Sequence, residues 1–382
     1  MDDFHWILLA LVIIAALRRW RLPAAAPTPA DTPVRPLPWR TLEQAMAAKG
    51  DNLLLLRLIA ASAVIYGHSY AISGIPGAAD HLTRQGWGLY SGTIAVQIFF
   101  VVSGFLVTGA WLRRPDLAFF LQSRALRIVP AYLACLALSA LLLGAALTDL
   151  PLAQYYADPL TWRYIWKNLT FSPEMVWTLP GVFAGNPHPN TVNGSLWTLV
   201  VEVRVYAWLA IFGLLGLLDR RERFFYAALI LACALYAPYA LPMMPIDEFL
   251  RLGGFFLAGC AFYRWRDLIP FHGALAVALF ALAVLAHGGT WFLPLFGLAL
   301  SYGVFWFAYG PRFLLGFNRF GDYSYGVYLW GFPIQQVVAS LLPVPTPTRI
   351  TLIALPCAVA AGALSWHLLE KPLLRLKRRH TA

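Results

Sequence analysis

The chain has 382 residues, of which 60% are hydrophobic and 12% charged, about half the charged share of a soluble globular protein. This composition excludes a soluble globular enzyme and describes a membrane protein organised as one polytopic bundle. The formal charge of +11 would suggest a nucleic-acid partner on a soluble chain, but its distribution along this one removes that reading.

The chain opens with an apolar stretch over 4–17, followed by "RRWR". A cleaved signal peptide would want basic residues ahead of the apolar run, and Asp2 and Asp3 stand there instead. Residues 1–22 are therefore read as an N-terminal apolar helix, either an extra span with its N-terminus outside or a helix lying in the interface. Residues 23–50 form a Pro/Ala-rich cytoplasmic linker.

Ten apolar segments of roughly span length follow, over 53–72, 88–110, 126–147, 196–218, 224–241, 249–263, 271–286, 291–309, 323–342 and 350–369. The sixth and seventh are short. No strand-like alternation runs through them, and backbone groups in lipid must be satisfied within the segment, so the fold class is all-α: a transmembrane helix bundle of about ten core spans plus the N-terminal helix. The membrane domain runs over 51–372, and 373–382 is a basic cytoplasmic tail.

Threading these spans with residue 50 in the cytoplasm places all but six of the 29 basic residues on the cytoplasmic side. The six are Arg84, Arg163, Lys167 and Arg349 outside, and Arg204 and Arg251 within spans. Such asymmetry is the positive-inside pattern, and it accounts for the net charge with lipid, not nucleic acid, as the surrounding partner. The large external loop, 148–195, carries Trp162, Tyr164, Trp166, Trp177, Asn186, His188 and Asn190. Aromatics at this level either anchor the interface or stack on sugar rings. Cys135, Cys233, Cys260 and Cys357 lie in apolar segments without ligand spacing and read as small core hydrophobes. The histidines other than His68 are scattered, so no metal site is expected.

The first core span, "LLLLRLIAASAVIYGHSY", carries two side chains that a bilayer normally excludes, Arg57 and His68. They are eleven residues apart, close to three helical turns, so both lie on one face about 16 Å apart along the axis. Arg57 is near the cytoplasmic end, where an arginine can snorkel. His68 lies in the outer half, where an ionisable group faces the bundle interior and is a functional candidate. In "NGSLWTLVVEVRVY" Glu202 is placed near the same depth; it needs a partner, with His68 as one choice and an ion pair to Arg204 or Arg251 as another. In "QSRALRIVP" Arg124 and Arg127, three apart, share a helix face and could clamp a phosphate or simply mark a basic helix start.

Taken in order, these segments resemble the membrane acyltransferase-3 family, bacterial integral-membrane enzymes that O-acylate glycans and other exported molecules. Arg57 and His68 meet the family's Arg-ten-residues-His pattern. "GTIAVQIFFVVSGFLVTG" at 92–109 resembles its second span, Arg124 and Arg127 in "RALRIVPAY" its basic pair, and "GSLWTLVVEVRVY" its Ser-Leu-Trp with a glutamate five residues on, Glu202. "GDYSYGVYLWGFPI" at 321–334 and "WHLLEKP" at 366–372 complete the series. Two positions depart: Gly331 stands where many members have a histidine, and leucines stand before Arg57 where many have an aspartate. Some members carry an extracytoplasmic hydrolase-like domain at the C-terminus; with only residues 373–382 after the bundle, the chemistry is expected within it.

The resemblance implies an acyl-CoA donor, usually acetyl-CoA, used as a substrate with no permanently bound cofactor. Arg57, Arg124 and Arg127 would hold its phosphates at the cytoplasmic side. His68 would act as general base on an acceptor hydroxyl, or carry the acyl group covalently, and Glu202 would orient its imidazole. The acceptor would be a cell-surface or exported polysaccharide or a lipid-linked glycan, and the location the bacterial inner membrane. Three other readings stay open at this point: a transporter relaying protons through His68 and Glu202, a structural or scaffolding component of a polysaccharide export complex, and acylation of a non-glycan acceptor.

Overall fold

The computed structural model describes residues 37–48, 50–236, 246–311 and 314–379. The expected N-terminal helix at 1–22, linker residues 23–36 and tail residues 380–382 lie outside the described residues.

Every one of the ten apolar segments falls on a helix. The first two are α1 (Leu53–Ile72) and α2 (Ser91–Arg113). The third, α3 (Leu117–Leu138), is started by the Asp116 carboxylate, which accepts from Phe119 N at 2.9 Å, and runs on through a π-turn, Ser139–Leu143. The loop over 148–195 supplies a short amphipathic helix, α4 (Pro159–Leu169). Then follow α5 (Trp197–Leu214), α6 (Arg221–Tyr236), α7 (Ile246–Arg264), α8 (Gly273–Leu285), α9 (Phe292–Tyr309), α10 (Ser324–Leu341) and α11 (Pro347–Ser365). The α6 helix covers the described part of the segment expected over 224–241. A second π-turn, Trp366–Glu370, joins α11 to α12 (Lys371–Arg379). Among the described residues six helices are long and apolar enough to cross a membrane: α1, α2, α3 with its extension to Leu147, α5, α9, and α11 running on to Leu376. The β pairing among the described residues is limited to two isolated bridges. The protein is a multi-pass membrane helix bundle.

Packing centres on α2, which lies against α1, α5, α7 and α9. Its closest neighbour is α7, and the reason is a reciprocal pair of glycines. A Cβ on Gly104 would lie 2.0 Å from the Phe256 carbonyl oxygen, and one on Gly259 2.1 Å from that of Val101. Lipid tails give apolar helices little reason to associate, so backbone contact at small residues is how such a crossing gains dispersion energy. On the other flank, α10 packs between α1 and α11. Cys135 and Cys260 are buried as expected, whereas Cys357 lies on the exposed flank of α11, and the side chain of Cys233 lies outside the described residues.

Hydrogen bonds sort the connecting segments into two ends, as the threading requires. At one, Asn52 Nδ2 donates to the carbonyls of Phe307 (3.1 Å) and Pro311 (2.6 Å), and Arg266 pairs with Glu43 at 2.9 Å. At the other, Asn186 Nδ2 donates to Gln336 O and Oε1, both at 2.9 Å, and His287 Nε2 lies 3.0 Å from Gly86 O. We call these the arginine end and the loop end. The 148–195 loop is built on Asn168, which accepts from Val176 N at 2.9 Å and donates to Val176 O at 2.8 Å, leaving Trp162 and Trp166 exposed on α4.

Candidate active site

The arginine end opens into a cavity of about 810 Å³, counted out to its mouth, lined from α1, α2, α3, α5 and α10. Four of the five residues singled out from the sequence line it: Arg57, Arg124, Arg127 and Glu202. Phe99, Phe100 and Val107 supply apolar wall, and Ser103, Thr198, Tyr206, Tyr325 and Tyr328 supply hydroxyls.

Two of the three arginines are held by carboxylates that the sequence reading did not single out. Asp322 pairs with Arg57 and accepts from Arg127 Nη2 at 2.6 Å; Glu370 accepts from Arg127 Nη1 at 2.8 Å. Asp322 is buried, which by itself would raise its pKa; the guanidinium groups of Arg127 and Arg57 more than offset that and hold it at about 2. The residues around each acid explain their motifs. Gly321, at φ +108°, turns the chain with no room for a side chain, since a Cβ would lie 2.2 Å from Trp366 Nε1. Ser324 Oγ then donates to Asp322 Oδ1 at 2.6 Å. Glu370 closes the π-turn and accepts from Ser365 Oγ at 2.9 Å. A signal for both was present in the sequence: an arginine buried in a bundle needs an anion, and Asp322 and Glu370 are the acids of the two C-terminal motifs.

Arg124 differs. Its guanidinium lies 5.8 Å from the centroid of the Tyr206 ring, Nη2 donates to Ser123 Oγ at 3.3 Å, and its buried Nε has no acceptor among the described residues. Among those residues no carboxylate is within ion-pair distance of it. The spacing of three does bring Arg124 and Arg127 into one cavity, but with different electrostatic situations.

Glu202 accepts a short hydrogen bond from Tyr206, one turn farther along α5, and Ser103 Oγ lies 2.6 Å from the same tyrosine hydroxyl. The expected direct partnership of Glu202 with His68 is not formed. The residue that meets His68 is Ser195, whose Oγ lies 3.5 Å from His68 Nδ1; Glu202 is seven residues farther on, about 10 Å deeper at 1.5 Å per residue. The depth reading placed the start of α5 too far outward. His68 itself is outside the cavity lining, at the loop end, with its ring edge-on to Phe332 at 5.3 Å. Two cavity residues, Tyr328 and Thr198, connect the two regions through the Ser195 carbonyl. Tyr328 Oη, in the cavity wall, donates to Ser195 O at 2.8 Å and lies 2.5 Å from Thr198 Oγ1, while the Ser195 side chain faces His68.

The arrangement is an arginine-lined cavity at one end of the bundle, in which Arg124 has no carboxylate partner among the described residues, and an imidazole near the other end, separated by a wall of hydroxyls. No set of three or more His, Cys, Asp or Glu side chains among the described residues is grouped to hold a metal ion.

A family model described as an acyltransferase domain matches residues 51–367, most of the chain. The chain is similar to an O-acetyl transferase of Shigella phage Sf6, 28% identical over 332 residues, covering 83% of this chain and 94% of that protein. It is similar to nodulation protein 10 of Rhizobium leguminosarum bv. viciae, 28% identical over 360 residues and covering 86% and 94%. A putative membrane-bound transacylase, BcsY, of Komagataeibacter xylinus is 27% identical over 334 residues, covering 81% and 83%. No solved structure matches. With the motif series in order, the bundle formed as expected and the family match spanning it, the chain belongs to the membrane acyltransferase-3 family and is an integral-membrane acyltransferase.

Proposed function

We propose that the protein moves an acyl group, acetyl in the first instance, from acyl-CoA to a hydroxyl of an exported polysaccharide or lipid-linked glycan, in the bacterial inner membrane with the arginine end and the C-terminus cytoplasmic. The observation that carries this is the shared Ser195 link: the cavity that holds the arginines ends on Thr198 and Tyr328, and those two touch the residue that touches His68. Arg124 takes a phosphate of the donor, with Arg57 and Arg127 contributing from positions held by Asp322 and Glu370. The pantetheine arm lies along the Phe99 and Phe100 wall and points its thioester toward His68.

In the reaction His68 accepts the proton of the acceptor hydroxyl as its oxygen attacks the thioester carbonyl. The carbon–sulfur bond breaks, and the departing coenzyme A thiolate takes the proton back from His68. Ser195 Oγ, facing Nδ1, keeps the ring oriented, and Glu202 with Tyr206 places a carboxyl group and a hydroxyl beside the donor channel.

The reading is tested by incubating purified protein reconstituted in sealed lipid vesicles with acyl-labelled acetyl-CoA and a glycan fraction from the host envelope. Release of free coenzyme A with hydroxylamine-labile label on the glycan is expected. Label taken up into vesicles without either product would instead indicate a transporter. Comparison of surface polysaccharide by NMR with and without the gene identifies the acceptor through the ester signal that is lost.

A further inference from the structure

At the loop end, Phe332 packs against two imidazoles. His68 is edge-on to it at 5.3 Å and 74°, and His188, from the 148–195 loop, at 6.0 Å and 72°. The backbone on either side is fixed by two adjacent glutamines of α10. Gln335 Nε2 donates to Ile65 O at 2.6 Å and to Ser69 Oγ at 2.7 Å, gripping α1 on either side of His68. Gln336 Nε2 donates to His188 O at 2.8 Å and Thr191 O at 2.6 Å, gripping the loop. Phe332 has no freedom to swing toward Gly194, where even a Cβ would lie 2.7 Å from its ring. The loop is therefore held by its main chain, and the His188 imidazole takes no part in holding it: among the described residues its one ring contact is with Phe332. It is half-buried, and burial lowers its pKa below the ordinary imidazole value. A neutral imidazole carries one N–H donor and one acceptor nitrogen, the complement of vicinal hydroxyls.

We propose that His188 is an acceptor-binding residue: set beside Phe332 on the loop side of His68, its imidazole takes hydroxyl groups of a polyhydroxylated acceptor and so presents a neighbouring hydroxyl to His68. The inference rests on the acyl-transfer reading above. Phe332 forms the apolar floor of this acceptor site and keeps water from His68 when no acceptor is bound. The residue determines which acceptors are used and leaves donor binding and bond breaking to the other groups.

The test uses the full chain in nanodiscs with labelled acetyl-CoA and two probe acceptors, methyl α-D-glucopyranoside, which can reach His188 and His68 together, and methanol, which cannot. In H188A the KM for the glycoside rises about ten-fold, the loss of a hydrogen-bonding partner, while transfer to methanol and the KM for acetyl-CoA do not change. H188Q, which keeps a donor and an acceptor, recovers most of the glycoside affinity; melting curves of both variants establish that they are folded. Equal impairment toward both probes, or none toward either, overturns the role of His188 while leaving the reaction standing. Wild-type protein that esterifies methanol but not the glycoside overturns it as well, because a site built for several hydroxyls favours the sugar. Wild-type protein that esterifies neither overturns the reading of the reaction, and this inference with it.

Discussion

Replacing Arg124 by glutamine separates the cation proposed to take the donor from those that hold the bundle together. Arg57 and Arg127 are ion-paired with Asp322 and Glu370, whereas Arg124 has a neutral hydrogen-bond partner and an aromatic neighbour. A charge-assisted hydrogen bond contributes about 1.5–3 kcal/mol, so Arg124→Gln should weaken coenzyme A binding about 10- to 150-fold. The same substitution breaks no ion pair, and the melting temperature should stay within about 2 °C of wild type. Arg127→Gln behaves in the opposite way: it leaves buried Asp322 and Glu370 short of a partner, at a cost of about 3–5 kcal/mol and a fall in melting temperature on the order of 10 °C. Coenzyme A titration followed by tryptophan fluorescence, with melting curves in the same detergent, gives both quantities. Unchanged coenzyme A affinity in Arg124→Gln, or a loss of stability as large as that of Arg127→Gln, would refute the division of labour among the three arginines.

Three further outcomes are expected. Asp322 has a folded pKa of about 2 against an ordinary 3.8, so its contribution, roughly 2 kcal/mol, is fully present above pH 4 and is lost as pH falls toward 2; Asp322→Asn should flatten the pH 4 to pH 2 decline in melting temperature, and an identical decline in the variant counts against the pairing. Gly331→Ala should cost about 1–3 kcal/mol, because the added Cβ would lie 2.8 Å from Ile65 Cγ1, and should cost nothing when made on an Ile65→Ala background, as a double-mutant cycle measures. Phe332→Ala should raise hydrolysis of acetyl-CoA in the absence of acceptor, followed by thiol release with a chromogenic disulfide; a hydrolysis rate no higher than wild type would show that the ring does not shield His68.

What the sequence made legible was whatever follows from distance along one helix. An interval of eleven residues put Arg57 and His68 on one face of α1, an interval of three put Arg124 and Arg127 into one cavity, and apolar run lengths located the helices to within a few residues. What escaped depends on how separate helices meet. Asp322 reaches Arg57 across 265 residues and Arg127 across 195, and no local pattern records that register. Glu370 is aimed by a π-turn, whose extra residue rotates everything after it and leaves no compositional mark. The depth assigned to Glu202 was wrong by about two turns for a related reason: the level of one helix against another is set by packing, and Ser195, not Glu202, ends up level with His68. Gly331, a departure from the family pattern when read as a missing histidine, packs against the Ile65 side chain of α1 with no room for a Cβ, so the position is steric in this chain.

The central claim is that His68, at the loop end, performs the chemistry on a donor held at the arginine end. The most direct measurement is transfer of label from acetyl-CoA to a hydroxyl acceptor by nanodisc-embedded wild-type and His68→Ala protein, with coenzyme A affinity measured on the same samples. General-base catalysis contributes about 10²- to 10⁴-fold, so the variant should bind coenzyme A as wild type does and form ester at least 100-fold more slowly. A folded His68→Ala protein that forms ester at a rate near wild type would contradict the account.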